Sequence, residues 1–123
     1  MNPYDKAREL AQSIQSSEVA RRLKDTKERI EQDSSTLAVL QEYRYREWEL
    51  QTKLVDGQEL TEAERESIDK LRNMVQSNPD IAVYLEAERQ LTVMLMDIQD
   101  ILSQTMDEFV FSHPGETDTA ELD

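Results

Sequence analysis

The sequence predicts an all-α protein: a bundle of about five helices with a long C-terminal helix, self-associating. Three observations predict it. Helix formers (Glu, Gln, Leu, Arg, Ala, Lys) dominate the 123 residues, with only two Gly and three Pro. Apolar residues recur at steps of three and four through most of the chain, the period of a helix face. Asn2-Pro3 and Asn78-Pro79 each join a capping side chain to the residue best suited to a first helical turn.

The first helix starts at Asn2-Pro3, and Tyr4, Ala7, Leu10, Ala11 and Ile14 keep helical spacing over about four turns. Gln15-Ser16-Ser17 breaks it, and Ser16 or Ser17 can cap a second helix from Glu18. That helix has a narrow apolar stripe (Val19, Leu23, Ile30) and carries Arg21, Arg22, Lys24, Lys27 and Arg29 on its other faces. Asp33-Ser34-Ser35 is a break or weak spot before a third helix, Ser35 to Val55, with Leu37, Leu40, Tyr43, Leu50 and Leu54 in one row and Trp48 and Val55 near Leu37 on the wheel. Asp56-Gly57 stops it, with Gly in the left-handed position. Thr61 and Glu64 have capping-box form before a fourth helix that presents Ile68, Leu71, Met74 and Val75.

The fifth helix is expected from Pro79 to about Phe111, a rod of ~50 Å. Tyr84, Leu91, Leu95, Ile98, Leu102 and Phe109 make one row, and Ala87, Met94 and Ile101 a second, with Met106 widening the arc. This exceeds the ~100° that one core-facing stripe needs, so other helices, including some of another subunit, are expected to cover it. Ala87, Leu91, Met94, Leu95, Ile98, Ile101, Leu102 and Met106 are therefore the candidate core or oligomer interface. Glu86, Glu88, Arg89, Asp97 and Asp100 interrupt it too often for a membrane span. Residues 1–111 are expected to form a single helical domain. Residues 112–123, with four acidic and no basic side chains, are expected to be a disordered acidic tail.

Composition narrows the function classes. Hydrophobic residues are 37% and aromatics 6%, a lean core that favours a homodimer or higher oligomer over a monomer. A net charge of −13 disfavours direct binding to nucleic acid or anionic membrane. Without cysteine there is no thiolate nucleophile and no Cys-ligated metal or cluster, and no cofactor is implied. The polar N-terminus does not resemble a signal peptide, so a cytoplasmic location is expected.

The sequence holds no reactive constellation. The single histidine, His113, sits at the edge of the tail, and Gly57 and Gly115 stand alone, without a phosphate loop. No Glu-x-x-His pair suggests a di-metal bundle. The run Arg21–Arg29 is a possible docking patch for an acidic partner or RNA, but Asp25 and Glu28 interleave it, and a solvated face with internal ion pairs is the plainer reading. Met at helical spacing reads as packing rather than as a promiscuous groove.

The order of elements resembles the YlbF/YmcA family of small bacterial helical proteins, closest to its YheA-like branch. The resemblance rests on Tyr4-Asp5, the Ser17-Glu18 break, Leu40-Gln41-Glu42-Tyr43-Arg44, the run Leu54 to Thr61, and Tyr84 to Leu91, and covers roughly residues 3 to 110. It implies an all-helical, self-associating protein with no known enzymatic activity. Two branches of that family are regulators of competence, sporulation and biofilm development. They act in a complex that modulates an RNA-cleaving endonuclease and carries iron–sulfur clusters on cysteines. This chain, lacking cysteine, departs from them there.

The expected function is thus a non-enzymatic cytoplasmic regulatory or adaptor protein acting through contacts with a protein partner whose identity the sequence does not give. The alternatives are an RNA-associated factor using Arg21–Arg29, or a small-molecule-binding bundle. One polar feature stands out. Arg44, Glu47 and Gln51 lie mid-arc on the third helix and Glu88 mid-arc on the long one. Apolar neighbours surround them, so a buried Arg44–Glu88 pair is expected, with Glu47 or Gln51 as a second acceptor, within a subunit or across a dimer axis. The alternative is a wet groove between two contact faces.

Overall fold

The computed structural model describes residues 2–111. Its helices are α1 (Pro3–Gln15), α2 (Glu18–Glu31), α3 (Ser34–Val55), α4 (Glu62–Gln76) and α5 (Pro79–Gln104), followed by a short 3₁₀ turn (Thr105–Glu108). The fold is all-α, without strands among the described residues. The tail 112–123, with His113, lies outside them.

Local chemistry sets every helix start. Asn2 Oδ1 accepts from the Tyr4 amide at 2.8 Å, and Asn78 Oδ1 from the Ile81 amide at 3.1 Å. Ser17 caps α2 through the Ala20 amide. Asp33 accepts from the Ser35 and Thr36 amides, which settles that α2 and α3 are separate helices. At α4 the box is reciprocal: Thr61 Oγ1 accepts from the Glu64 amide while Glu64 Oε1 accepts from the Thr61 amide. Each such cap supplies a partner to an amide that the helix itself leaves unpaired. Gly57, at φ +74°, makes the left-handed stop after α3.

The chain divides into two compact units between Arg89 and Gln90, inside α5. In residues 2–89, Ile30 of α2, Leu40 of α3, Val75 of α4 and Ile81 of α5 are buried together, with Leu37, Val39, Tyr43, Tyr84 and Leu85 against them. The first turns of α5 are thereby held among α2, α3 and α4. Arg29 adds an ion pair to Asp80 at 3.1 Å. Thr26, also buried, satisfies its hydroxyl on the carbonyls of Arg22 and Leu23.

Within residues 90–111 no side chain is fully buried. The long helix also stops earlier than the expected Phe111, at Gln104, giving a rod of ~39 Å. Its last turn has no basic residue to meet the exposed carbonyls. Thr105 instead turns its hydroxyl back to the Leu102 carbonyl at 2.7 Å, and the chain tightens into the 3₁₀ turn.

Candidate interaction surfaces and the polar seam

Three features carry chemistry that packing alone does not explain. The first is the polar stripe of α3. Arg44 Nη2 lies 2.5 Å from Glu88 Oε2, and its guanidinium sits 5.7 Å from the centre of the Tyr84 ring. Partial burial works against the Arg44 charge, but Glu88 and Tyr84 outweigh it and hold its pKa above the ordinary arginine value. The side chains remain 46% and 36% exposed, so the expected burial of this pair is corrected. Neither residue belongs to the buried cluster of Ile30, Leu40, Val75 and Ile81 through which α3 and α5 meet, and the pair stays partly in water.

Glu47 takes a different partner from the one expected. Its Oε1 accepts from both Nε and Nη2 of Arg72 on α4, each at 3.3 Å. Gln51, one turn further on, is exposed. The stripe is thus a bonded seam, running from α3 to α5 at Arg44 and from α3 to α4 at Glu47. It is neither a buried network nor an unpaired wet groove. A third tie, Lys53 to Glu64, joins the end of α3 to the start of α4. The Lys53 ammonium, with the Thr61 amide and hydroxyl, holds the Glu64 carboxyl below the usual range.

The second feature is the candidate interface on α5. Ala87 is buried in the core of residues 2–89. Leu91, Met94 and Ile98 are half-buried. Leu95 (42%), Ile101 (63%), Leu102 (56%) and Met106 (49%) are exposed, and so are Val93, Met96, Phe109 and Val110. Large apolar side chains in that density are unusual on the surface of a monomer.

The third is the basic segment of α2. Arg22 pairs with Glu18, Lys27 with Glu31 and Arg29 with Asp80. Only Arg21 and Lys24 of the five have no ion pair among the described residues. A phosphate-binding footprint needs several uncommitted cations on one face, and this segment offers two.

A hollow of about 230 Å³ between α3 and α4 is lined by Leu50, Leu60 and Ile68 together with Arg46, Glu49 and Glu64. Another of about 200 Å³ lies over Ile30, Leu37 and Leu40. Both are below the ~300 Å³ at which small-molecule sites begin, and a third, of about 490 Å³, is lined by Leu60 with the charged side chains of Glu62, Arg65, Glu66 and Asp69, unlike the mostly apolar lining of such sites. Trp48 (62% exposed) and Val55 (84%) correct the expectation that they extend the core arc of α3. Leu54 of the predicted row is exposed as well: α3 packs on the core through Leu37, Val39, Leu40 and Tyr43 in its first half, whereas Trp48, Leu54 and Val55 lie in its second half, beyond that cluster.

Comparison with known proteins agrees with the fold. The chain is 35% identical over 106 residues to a UPF0342 protein of Caldicellulosiruptor saccharolyticus, covering 86% of this chain and 88% of that one. It is 31% identical over 115 residues to UPF0342 protein BH1149 of Halalkalibacterium halodurans, covering 94% and 98%. A solved structure titled as a protein of unknown function (DUF964) from Bacillus stearothermophilus superposes with a TM-score of 0.68 at 25% identity, covering 85% of this chain and 92% of that one. Residues 4–107 match the family described as control of competence regulator ComK, YlbF/YmcA. With nearly all of its helical part inside that match, the chain belongs to the YlbF/YmcA family.

Proposed function

We propose that this protein is a non-enzymatic, cytoplasmic regulatory protein that self-associates and acts through protein–protein contacts. The observation that carries this reading is the exposed apolar surface of residues 90–111, where Leu95, Ile101, Leu102 and Phe109 face outward. Exposed apolar area of this kind is costly in water and marks an interaction surface. Membership in a family described by control of the competence regulator ComK supports a regulatory role in bacterial development, and the resemblance to the branches that modulate an RNA-cleaving endonuclease suggests control of RNA processing as its alternative setting. None of the described helices is long and apolar enough to cross a membrane, which leaves another protein chain as the natural cover.

An affinity pull-down from the native cytoplasm with the full-length chain tests it, run beside the Ile101→Glu variant. The reading predicts stoichiometric protein partners, further copies of the chain among them, that are lost with Ile101→Glu. Identical recoveries from both baits, or none from either, would overturn it.

A further inference from the structure

Helix α3 is apolar over a wide arc, and its own chain covers only part of it. Leu40 is buried inward, with Leu37, Tyr43 and Leu50 partly buried beside it. On the outward side Tyr45 is 54% exposed, Trp48 62% and Val55 84%. With exposed Gln41 and Thr52 they form a row at steps of four, three, four and three. This is heptad spacing, the pattern of a helix that meets another helix along a seam. The Tyr45 and Trp48 rings stand 6.1 Å apart, tilted by 34°, and the Arg46 guanidinium lies 5.9 Å from the Tyr45 ring centre. Rigid Trp and Tyr side chains presented in this way are the residue types that carry interface energy.

Residues 91–102 hold a second row of the same period, Leu91, Leu95, Ile98 and Leu102. Charge decides which pairing of rows is compatible. Every Lys and Arg of the chain lies at or before Arg89, while residues 90–111 carry Asp97, Asp100, Asp107 and Glu108 and no cation. Two such segments packed on each other would bring like charges together. Helix α3 is balanced, with Arg44, Arg46 and Lys53 against Glu42, Glu47 and Glu49. We propose that the Tyr45–Trp48–Val55 stripe of α3 is the docking surface for the Leu91–Leu102 row of a second copy of this chain. The proposal rests on the self-association reading above and names the receptor for it. Each copy carries one row and one stripe, so each can give a row and receive one.

Trp48 is the only tryptophan, so its fluorescence reports on the stripe directly. The experiment follows sedimentation mass, emission maximum and acrylamide quenching of the full-length chain across a dilution series. Docking predicts that loss of mass on dilution runs in step with a red shift and several-fold stronger quenching. Trp48→Glu and Ile98→Glu should each weaken association at least tenfold. Mixing these two variants should restore a heterodimer, since the mixture retains one intact stripe and one intact row. If the parent associates but Trp48 emission and quenching ignore concentration, or if two variants with the parent's helical circular dichroism do not associate when mixed, the receptor is wrong while self-association stands. A single-chain mass at every concentration would overturn both. The dilution series needs only the parent chain, so a variant that misfolds leaves the test intact.

Discussion

Replacing Arg44 and Glu88 by Met, singly and together, measures what the seam between α3 and α5 contributes. The pair lies at 2.5 Å with the Tyr84 ring beside the guanidinium, which favours a strong contact. Its side chains are 46% and 36% exposed, however, so water screens the charges and the range for surface pairs applies, ~0.2–1 kcal/mol. The contact with Tyr84 adds ~0.5–1 kcal/mol to the cost of losing Arg44 alone, because it does not depend on Glu88. The expected order is Arg44→Met costing more than Glu88→Met, with a coupling of ~0.5–1 kcal/mol between them. Urea unfolding of the four chains reads these values, and 1 M salt should weaken the coupling without abolishing it, since the screening length at that ionic strength is ~3 Å and the pair lies at 2.5 Å. A coupling near zero in low salt would mean the residues do not meet in solution. A coupling above ~3 kcal/mol, insensitive to salt, would mean the pair is buried and that its exposure is misread.

Three further predictions address the frame. Ile81 has no exposed surface at the junction of α2, α3, α4 and α5, so Ile81→Ala should cost ~2–5 kcal/mol in urea unfolding. Thr61→Ala removes the capping box of α4 and should cost ~1 kcal/mol in the same assay, with Thr61→Ser recovering most of it. Asp33 is held below the usual carboxylate range by the Ser35 and Thr36 side chains and the amides behind them, and Glu64 by Lys53 and Thr61. Their stabilising contribution is full above the unfolded carboxylate pKa of ~4 and is lost as pH falls through the lowered folded values. Thermal melts should therefore drop below pH ~4, and Asp33→Asn, which keeps the cap but not the charge, should flatten part of that drop.

Helix starts were legible in the sequence because they depend on two to four adjacent residues. Asn2-Pro3, Thr61 with Glu64, and Asn78-Pro79 form their caps through contacts no further than three positions away. The meeting of Arg44 with Glu88 was legible for a different reason, as polar residues in apolar arcs must find each other or water. The partner of Glu47 was not, because Arg72 becomes its neighbour only through the packing of α4 on α3. The exposure of Trp48 and Val55 was hidden likewise. A wheel shows that α3 is widely apolar but not which part of the arc α2 and α4 cover. The end of α5 at Gln104 depended on the Thr105 hydroxyl taking the Leu102 carbonyl, a choice that an uninterrupted helical pattern does not reveal.

The central claim is that the apolar surface of residues 90–111 is buried between chains, and light scattering of the purified full-length protein tests it most directly. The account predicts twice the single-chain mass or a higher multiple for the parent, and a single-chain mass for Leu95→Glu/Ile98→Glu with helical circular dichroism retained. A parent of single-chain mass, or a fully helical double variant that keeps the parent's mass, would contradict it.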